Sequence, residues 1–149
     1  MDDGGPKAAE RQRIAERSVE ALWRGDAASQ SLGMRIESRG PGHAAVTMEV
    51  RRDMVNGHGI CHGGLVFALA DSAFAFACNS HGDNTVAAGA AIEFLKPARE
   101  GDVLHAAAAE RWRAGRSGIY EIEVRNQRGE LVALFRGRSH QVSGRLIDD

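Results

Sequence analysis

The sequence predicts an α+β domain: an antiparallel sheet wrapped around one long buried helix, with a further helix at the N-terminal end. Three observations predict it. Gly63–Cys78 is apolar around its whole circumference except for a lone carboxylate, Asp71, so as a helix it calls for burial on every side. The second half of the chain is built of strand-like segments, and residues 117–126 alternate cleanly, with Tyr120, Ile122 and Val124 on one face and Glu121, Glu123 and Arg125 on the other. Short connections separate these segments, which is the pattern of antiparallel neighbours.

Taken in order, residues 7–23 read as an amphipathic helix. Ala15, Val19 and Leu22 share one face, and Arg11, Arg13, Glu16, Arg17 and Glu20 fall among the polar positions. Gly25-Asp26 punctuates it, so residues 1–28 are expected as a helical extension of a main domain at 29–149. Residues 32–38 and 43–50 are short strands around the turn Arg39-Gly40-Pro41-Gly42. A glycine-containing loop at 51–61 leads into the buried helix, for which Gly82 is the expected C-terminal cap. Four longer strands follow at 85–96, 102–113, 117–126 and 130–142, and each is expected beside the next.

Composition narrows the function classes. The 149 residues suit one domain with a real core. A formal net charge of -1 argues against a general nucleic-acid or anionic-membrane binder. No apolar run reaches the length of a membrane span, because Asp71 interrupts the longest. The acidic start, Met1-Asp2-Asp3-Gly4-Gly5-Pro6, lacks the basic and apolar regions of a signal peptide. Two cysteines, Cys61 and Cys78, make no disulfide framework, so a reducing cytoplasm is expected.

Asp71 is the residue that points to chemistry. An aspartate is rarely buried without a partner, because removing its charge from water is costly. Such a residue is either satisfied in the core by hydroxyls or backbone, or used in a reaction. Upstream of it lie Asn56 and Cys61-His62-Gly63-Gly64, where a glycine pair opens the helix with backbone N–H groups free of intrahelical partners.

The spacing Asn56-x5-His62-Gly63-Gly64-x6-Asp71, on this order of strands and helix, resembles the hotdog-fold acyl-CoA thioesterases, most closely the phenylacetate-degradation (PaaI-type) group. Ile92-Glu93-Phe94-Leu95-Lys96-Pro97, Arg116-Ser117-Gly118-Ile119-Tyr120, Asn126-Gln127 and Ala133-Leu134-Phe135-Arg136-Gly137 extend the likeness over roughly residues 46–142. The resemblance implies a hotdog fold and hydrolysis of an acyl-coenzyme A, with coenzyme A as part of the substrate and neither metal nor bound cofactor. It also implies a homodimer with one continuous sheet, commonly a dimer of dimers, and an acyl group such as phenylacetyl or a ring-hydroxylated derivative. By position it makes Asp71 the catalytic carboxylate and Gly63 the oxyanion donor, with His62 and Asn56 as accompanying polar residues. Ala87 departs from relatives that place a serine near the attacking water.

These residue types suit thioester hydrolysis. The leaving thiol has a pKa near that of cysteine, about 8.5, so little general acid is required. One carboxylate and one oxyanion site are nearly sufficient. Asp71 in an apolar wall is expected to titrate above the ordinary carboxylate range and to serve as general base or as direct nucleophile. Gly63 offers an N–H at the positive end of the helix, and His62 is placed to donate to the carbonyl or orient the thioester. Asn56 either holds the water or is simply a turn residue. Candidate substrate contacts are Gly64, Phe67, Phe74, Arg116 and Ser117; the two phenylalanines lie on the Asp71 side of the helix, and Arg116, with Arg113 and Arg138, is a candidate for the coenzyme A phosphates.

Other readings are weaker. Cys61-His62 suggests a thiol nucleophile, but adjacent residues rarely aim at each other. His58 and His62 have metal-ligand spacing without an evident third ligand. A hotdog hydratase would need a different acid–base pair, and a non-catalytic acyl-CoA sensor would have no need of Asp71.

Overall fold

The computed structural model describes residues 6–148. Residues 1–5, most of the stretch read for a leader peptide, lie outside them. The elements are α1 (Pro6–Gly25), α2 (Ala27–Ser31), β1 (Arg35–Gly40), β2 (His43–Glu49), a single 3-10 turn (Arg52–Met54), α3 (Gly63–Cys78), β3 (Asp83–Phe94), β4 (Val103–Ala114), β5 (Ser117–Arg125) and β6 (Leu131–Arg145). The strands form one antiparallel sheet in the order β1-β2-β4-β5-β6-β3, with α3 laid across it.

Turn chemistry fixes the hairpins. Gly40 and His43 pair across Pro41-Gly42, and Gly42 has φ 76°; proline then glycine with positive φ is the type II pattern. Ala114 and Ser117 pair across Gly115-Arg116, with the positive φ of 58° at Gly115, as a type II′ hairpin requires. Inward residues of β4 to β6 (Leu104, Ala106, Tyr120, Ile122, Val124, Ala133, Phe135) meet Leu69, Ala70, Ala73 and Phe74 of α3 to make the core. The alanines let helix and sheet approach closely. Helix α1 contributes Ala15, Ser18 and Val19, all fully buried, as its apolar stripe predicts.

Four expectations need correction. The boundary at residue 28 falls inside α2, a five-residue helix capped by the Asp26 carboxylate on the Ser29 N–H at 3.0 Å. That helix and the turn at Gly33 delay β1 to Arg35. Gly82 is not the cap of α3: Asn79 is, its side chain bonding the Ala75 and Thr85 carbonyls, and Gly82 turns the chain afterwards with φ 89°. Third, β3 and β4 are not neighbours. Residues 95–102 carry the chain past the start of α3, where the Ala98 carbonyl accepts the Cys61 N–H at 2.7 Å, and β3 pairs with β6 at the far edge.

The last correction concerns burial. Within one chain α3 is not covered on all sides: Phe67, Ala68, Asp71, Ser72 and Ala75 form a half-buried stripe, and Gly64 is exposed. Beside it β3 is an open edge. Its residues 86–91 are exposed although largely apolar, Val86 at 47%, and Phe94 at the end of the strand is exposed at 56%.

Candidate active site

The start of α3 is held by its flanks. The His62 N–H donates to the Met54 carbonyl at 2.8 Å, and a bridge joins Val55 to Cys61. His62 is the N-cap, and its Nδ1 accepts the Gly64 N–H at 2.9 Å. The His62 carbonyl accepts from Leu65 at 2.9 Å and Val66 at 3.3 Å. Of the first-turn amides, only that of Gly63 is left without a partner among the described residues. The expectation of a pair of free glycine amides is therefore corrected: Gly64 has its N–H occupied by the histidine ring.

That free amide borders a cavity of ≈ 410 Å³ lined by Asn56, Ile60, Gly63, Phe94, Leu95 and Val132 among others. A Cβ on Gly63 would lie 3.1 Å from the Phe94 ring, so glycine keeps the approach to the amide open. Asn56 serves the loop with its oxygen, which accepts the His58 N–H at 2.9 Å and the Ile60 N–H at 3.3 Å. Its amide group is the part left to the cavity. Sequence reasoning passed over Phe94 as a site residue; its place on the α3-facing side of an apolar strand was the signal.

Asp71 stands two turns along α3 and does not line that cavity. It is half-buried, and its carboxylate makes no hydrogen bond among the described residues. Burial raises its pKa above the ordinary value, and the negative charge of Asp26 raises it further. Beyond punctuating the chain, Asp26 caps α2, and aspartate directly before a helical stretch is a cap signature. The Ser29 and Ser72 hydroxyls, 2.7 Å apart, fasten α2 to α3 beside Asp71.

The remaining candidates separate. Phe67 is half-buried and meets Phe135 edge-on with centroids 5.1 Å apart. Phe74 is core and no substrate contact: it is 1% exposed, packed on Tyr120 at 5.6 Å and Phe135 at 6.0 Å. Arg116 and Ser117 line a small cavity of ≈ 40 Å³ at the other end of α3, with Cys78, Tyr120 and Ser139. One protomer does not bring them to Gly63. Burial pushes the Cys61 thiol up, and its sulfur lies 3.7 Å from the His62 carbonyl rather than on the ring, against a thiolate nucleophile. His58 and His62 are not joined into a metal-holding group among the described residues.

The Thioesterase superfamily model matches residues 58–133, which include the helix start, Asp71 and Phe94. The chain is also 46% identical to the acyl-coenzyme A thioesterase PaaI of Escherichia coli K12 over 91% of its own length and 96% of that protein's. The chain belongs to the thioesterase superfamily. The structure of the E. coli PaaI protein from the phenylacetic acid degradation operon superposes on this thioesterase with a TM-score of 0.88, covering 90% of this chain and 97% of that one. The phenylacetic acid degradation protein PaaI of Thermus thermophilus, in a mutant structure, gives 0.74 at 38% identity, over 76% of this chain and 97% of that one. The wrapped helix is thus the hotdog arrangement. No helix among the described residues is long and apolar enough to cross a membrane.

Proposed function

We propose that this thioesterase hydrolyses an acyl-coenzyme A, releasing the free acid and coenzyme A, with an aryl-acetyl group as the preferred acyl portion. The observation that carries the proposal is the unpaired Gly63 amide at the mouth of a largely apolar cavity, on the same helix as a carboxylate of raised pKa. The ionised Asp71 takes a proton from water as the oxygen attacks the thioester carbon. The Gly63 N–H, at the positive end of α3, stabilises the oxyanion. Collapse of the intermediate breaks the C–S bond and expels the thiolate, and the proton held by Asp71 returns to the products. The aryl-acetyl preference rests on the degradation route for which both PaaI relatives are named and on the aromatic lining supplied by Phe94.

The functional unit in this reading is a homodimer with two shared sites, itself paired into a dimer of dimers. Gly63 and Asp71 are eight residues apart on one helix, about 12 Å along its axis at 1.5 Å per residue, too far to serve one carbonyl and its water. The open edge of β3, a strand in contact with α3, and the half-buried stripe of that helix offer exposed surface to a second copy. A two-fold axis there carries Asp71 of one protomer toward Gly63 of the other. Arg116 and Ser117 are assigned to the coenzyme A portion on the same basis.

Incubation with a panel of acyl-CoAs and a thiol-reactive dye tests the reaction. Thiol release, fastest from phenylacetyl-CoA or its ring-hydroxylated derivatives, is expected. Binding without release would make the protein a sensor, and loss of enoyl absorbance would make it a hydratase.

A further inference from the structure

We propose that His62 is a positioning residue: its ring closes the Gly64 amide so that Gly63 alone presents a free N–H at the start of α3. The inference deepens the thioesterase reading above, and rests on it only for what that free amide binds. A helix begins with several amides lacking intrahelical partners, and the oxyanion needs one of them at a defined place. Here the assignments are complete. His62 Nδ1 takes Gly64 at 2.9 Å, the His62 carbonyl takes Leu65 and Val66, and Gly63 remains.

Two consequences follow from the chemistry of the ring. A nitrogen that accepts an N–H carries no proton, so the neutral His62 ring holds its proton on Nε2. The ring also needs room. A Cβ on Gly64 would sit 3.0 Å from Nδ1 and 3.3 Å from Cε1, tighter than ordinary contact, so Gly64 is the seat on which the imidazole rests. Gly63 is bare for a different reason, the Phe94 ring at 3.1 Å. Two glycines in succession weaken a helix. Each is explained by a separate neighbour, and His62-Gly63-Gly64 acts as one device: ring, free amide, seat.

The test has a spectroscopic and a kinetic arm. Two-bond ¹H–¹⁵N correlation spectra of the ¹⁵N-labelled protein report which ring nitrogen of His62 carries the proton. A single Nε2–H tautomer is expected for the parent, and an Nδ1–H ring would overturn the proposal. G64A keeps the histidine and substitutes a better helix former, so it folds. It should shift the His62 ring signals and lower kcat by about 10- to 10²-fold, the scale of a small misplacement, with KM changed less than about twofold. H62N keeps a capping oxygen and should retain far more kcat than H62F. Parental kcat in G64A, or H62N no better than H62F, would sink the idea. If the parent releases no thiol from any acyl-CoA, the thioesterase reading fails instead, and the parent and G64A spectra still decide the cap.

Discussion

The Ser29 and Ser72 hydroxyls bond at 2.7 Å, and through this contact the short helix α2 holds Asp26 near Asp71. Asp26 also caps α2, so one carboxylate both starts that helix and adds negative charge to the surroundings of the candidate base. D26N separates the two roles, because asparagine caps about as well as aspartate and carries no charge. The acid limb of the rate profile should move to lower pH in D26N while the melting temperature hardly changes. An unmoved limb would remove Asp26 from the site.

Asp71 should trade stability for activity. Its folded pKa is raised, first by burial, so its ionisation is opposed in the native state. Its favourable contribution is therefore complete below the unfolded pKa and is lost as pH rises through the folded one. At neutral pH, D71N should melt higher than the parent, with the gap closing in acid. Its thioesterase activity should fall by roughly 10²–10⁴, the range for a lost general base. Melting curves at several pH values and initial rates check both halves.

Tyr120 and His81 both bond Glu110, at 2.6 and 2.8 Å. Burial pushes the Glu110 carboxyl up, but these bonds outweigh it and hold the group below its ordinary range. A depressed carboxylate stabilises the fold above its unfolded pKa and loses that contribution as pH falls through the folded one. Y120F removes one bond and should cost about 1.5–3 kcal/mol near neutral pH, with the deficit shrinking in acid. Urea titrations at two pH values measure it.

Gly137 is a packing requirement of the core. An added Cβ would lie 2.7 Å from the Phe74 ring, which is locked against Tyr120 and Phe135. G137A should destabilise the protein by about 1–3 kcal/mol, the usual cost of overpacking, without changing KM in the surviving enzyme. Urea unfolding and initial rates on the same preparation check the two halves.

Shared sites predict complementation. D71N chains mixed with Gly63→Pro chains, which lack the donor N–H, should form about half mixed dimers, each with one intact site. About a quarter of parental activity should return from two nearly dead variants. Mixed dimers without activity would mean that each site is built by one chain.

The period-two strands and the apolar helix were legible because each pattern repeats over many residues. Helix α2 was missed because five residues are too few to show a period. The place of β3 was missed because register with β6 is written in no turn; it depends on a partner about fifty residues away. Around α3 the residues promise more burial than one chain supplies, so the uncovered stripe could be seen only in the structure. Phe67 and Phe74 lie close together on a helical projection, and only the facing strands decide that one is core. Asp71 and Gly63 stood out in the sequence; the engaged Gly64 amide did not, since histidine is not a usual N-cap.

The edge position of β3 also sets an order of events during folding. It is completed by residue 94, yet its ladder partners run to Arg145, so β4, β5 and β6 must be laid down first. Until then Asp83–Phe94 has no strand beside it, and loop-closure entropy opposes its docking. A nascent or truncated chain ending before β6 would therefore leave this strand unsatisfied and prone to irregular pairing with other chains. The last strand made is the one that seats β3 in the sheet.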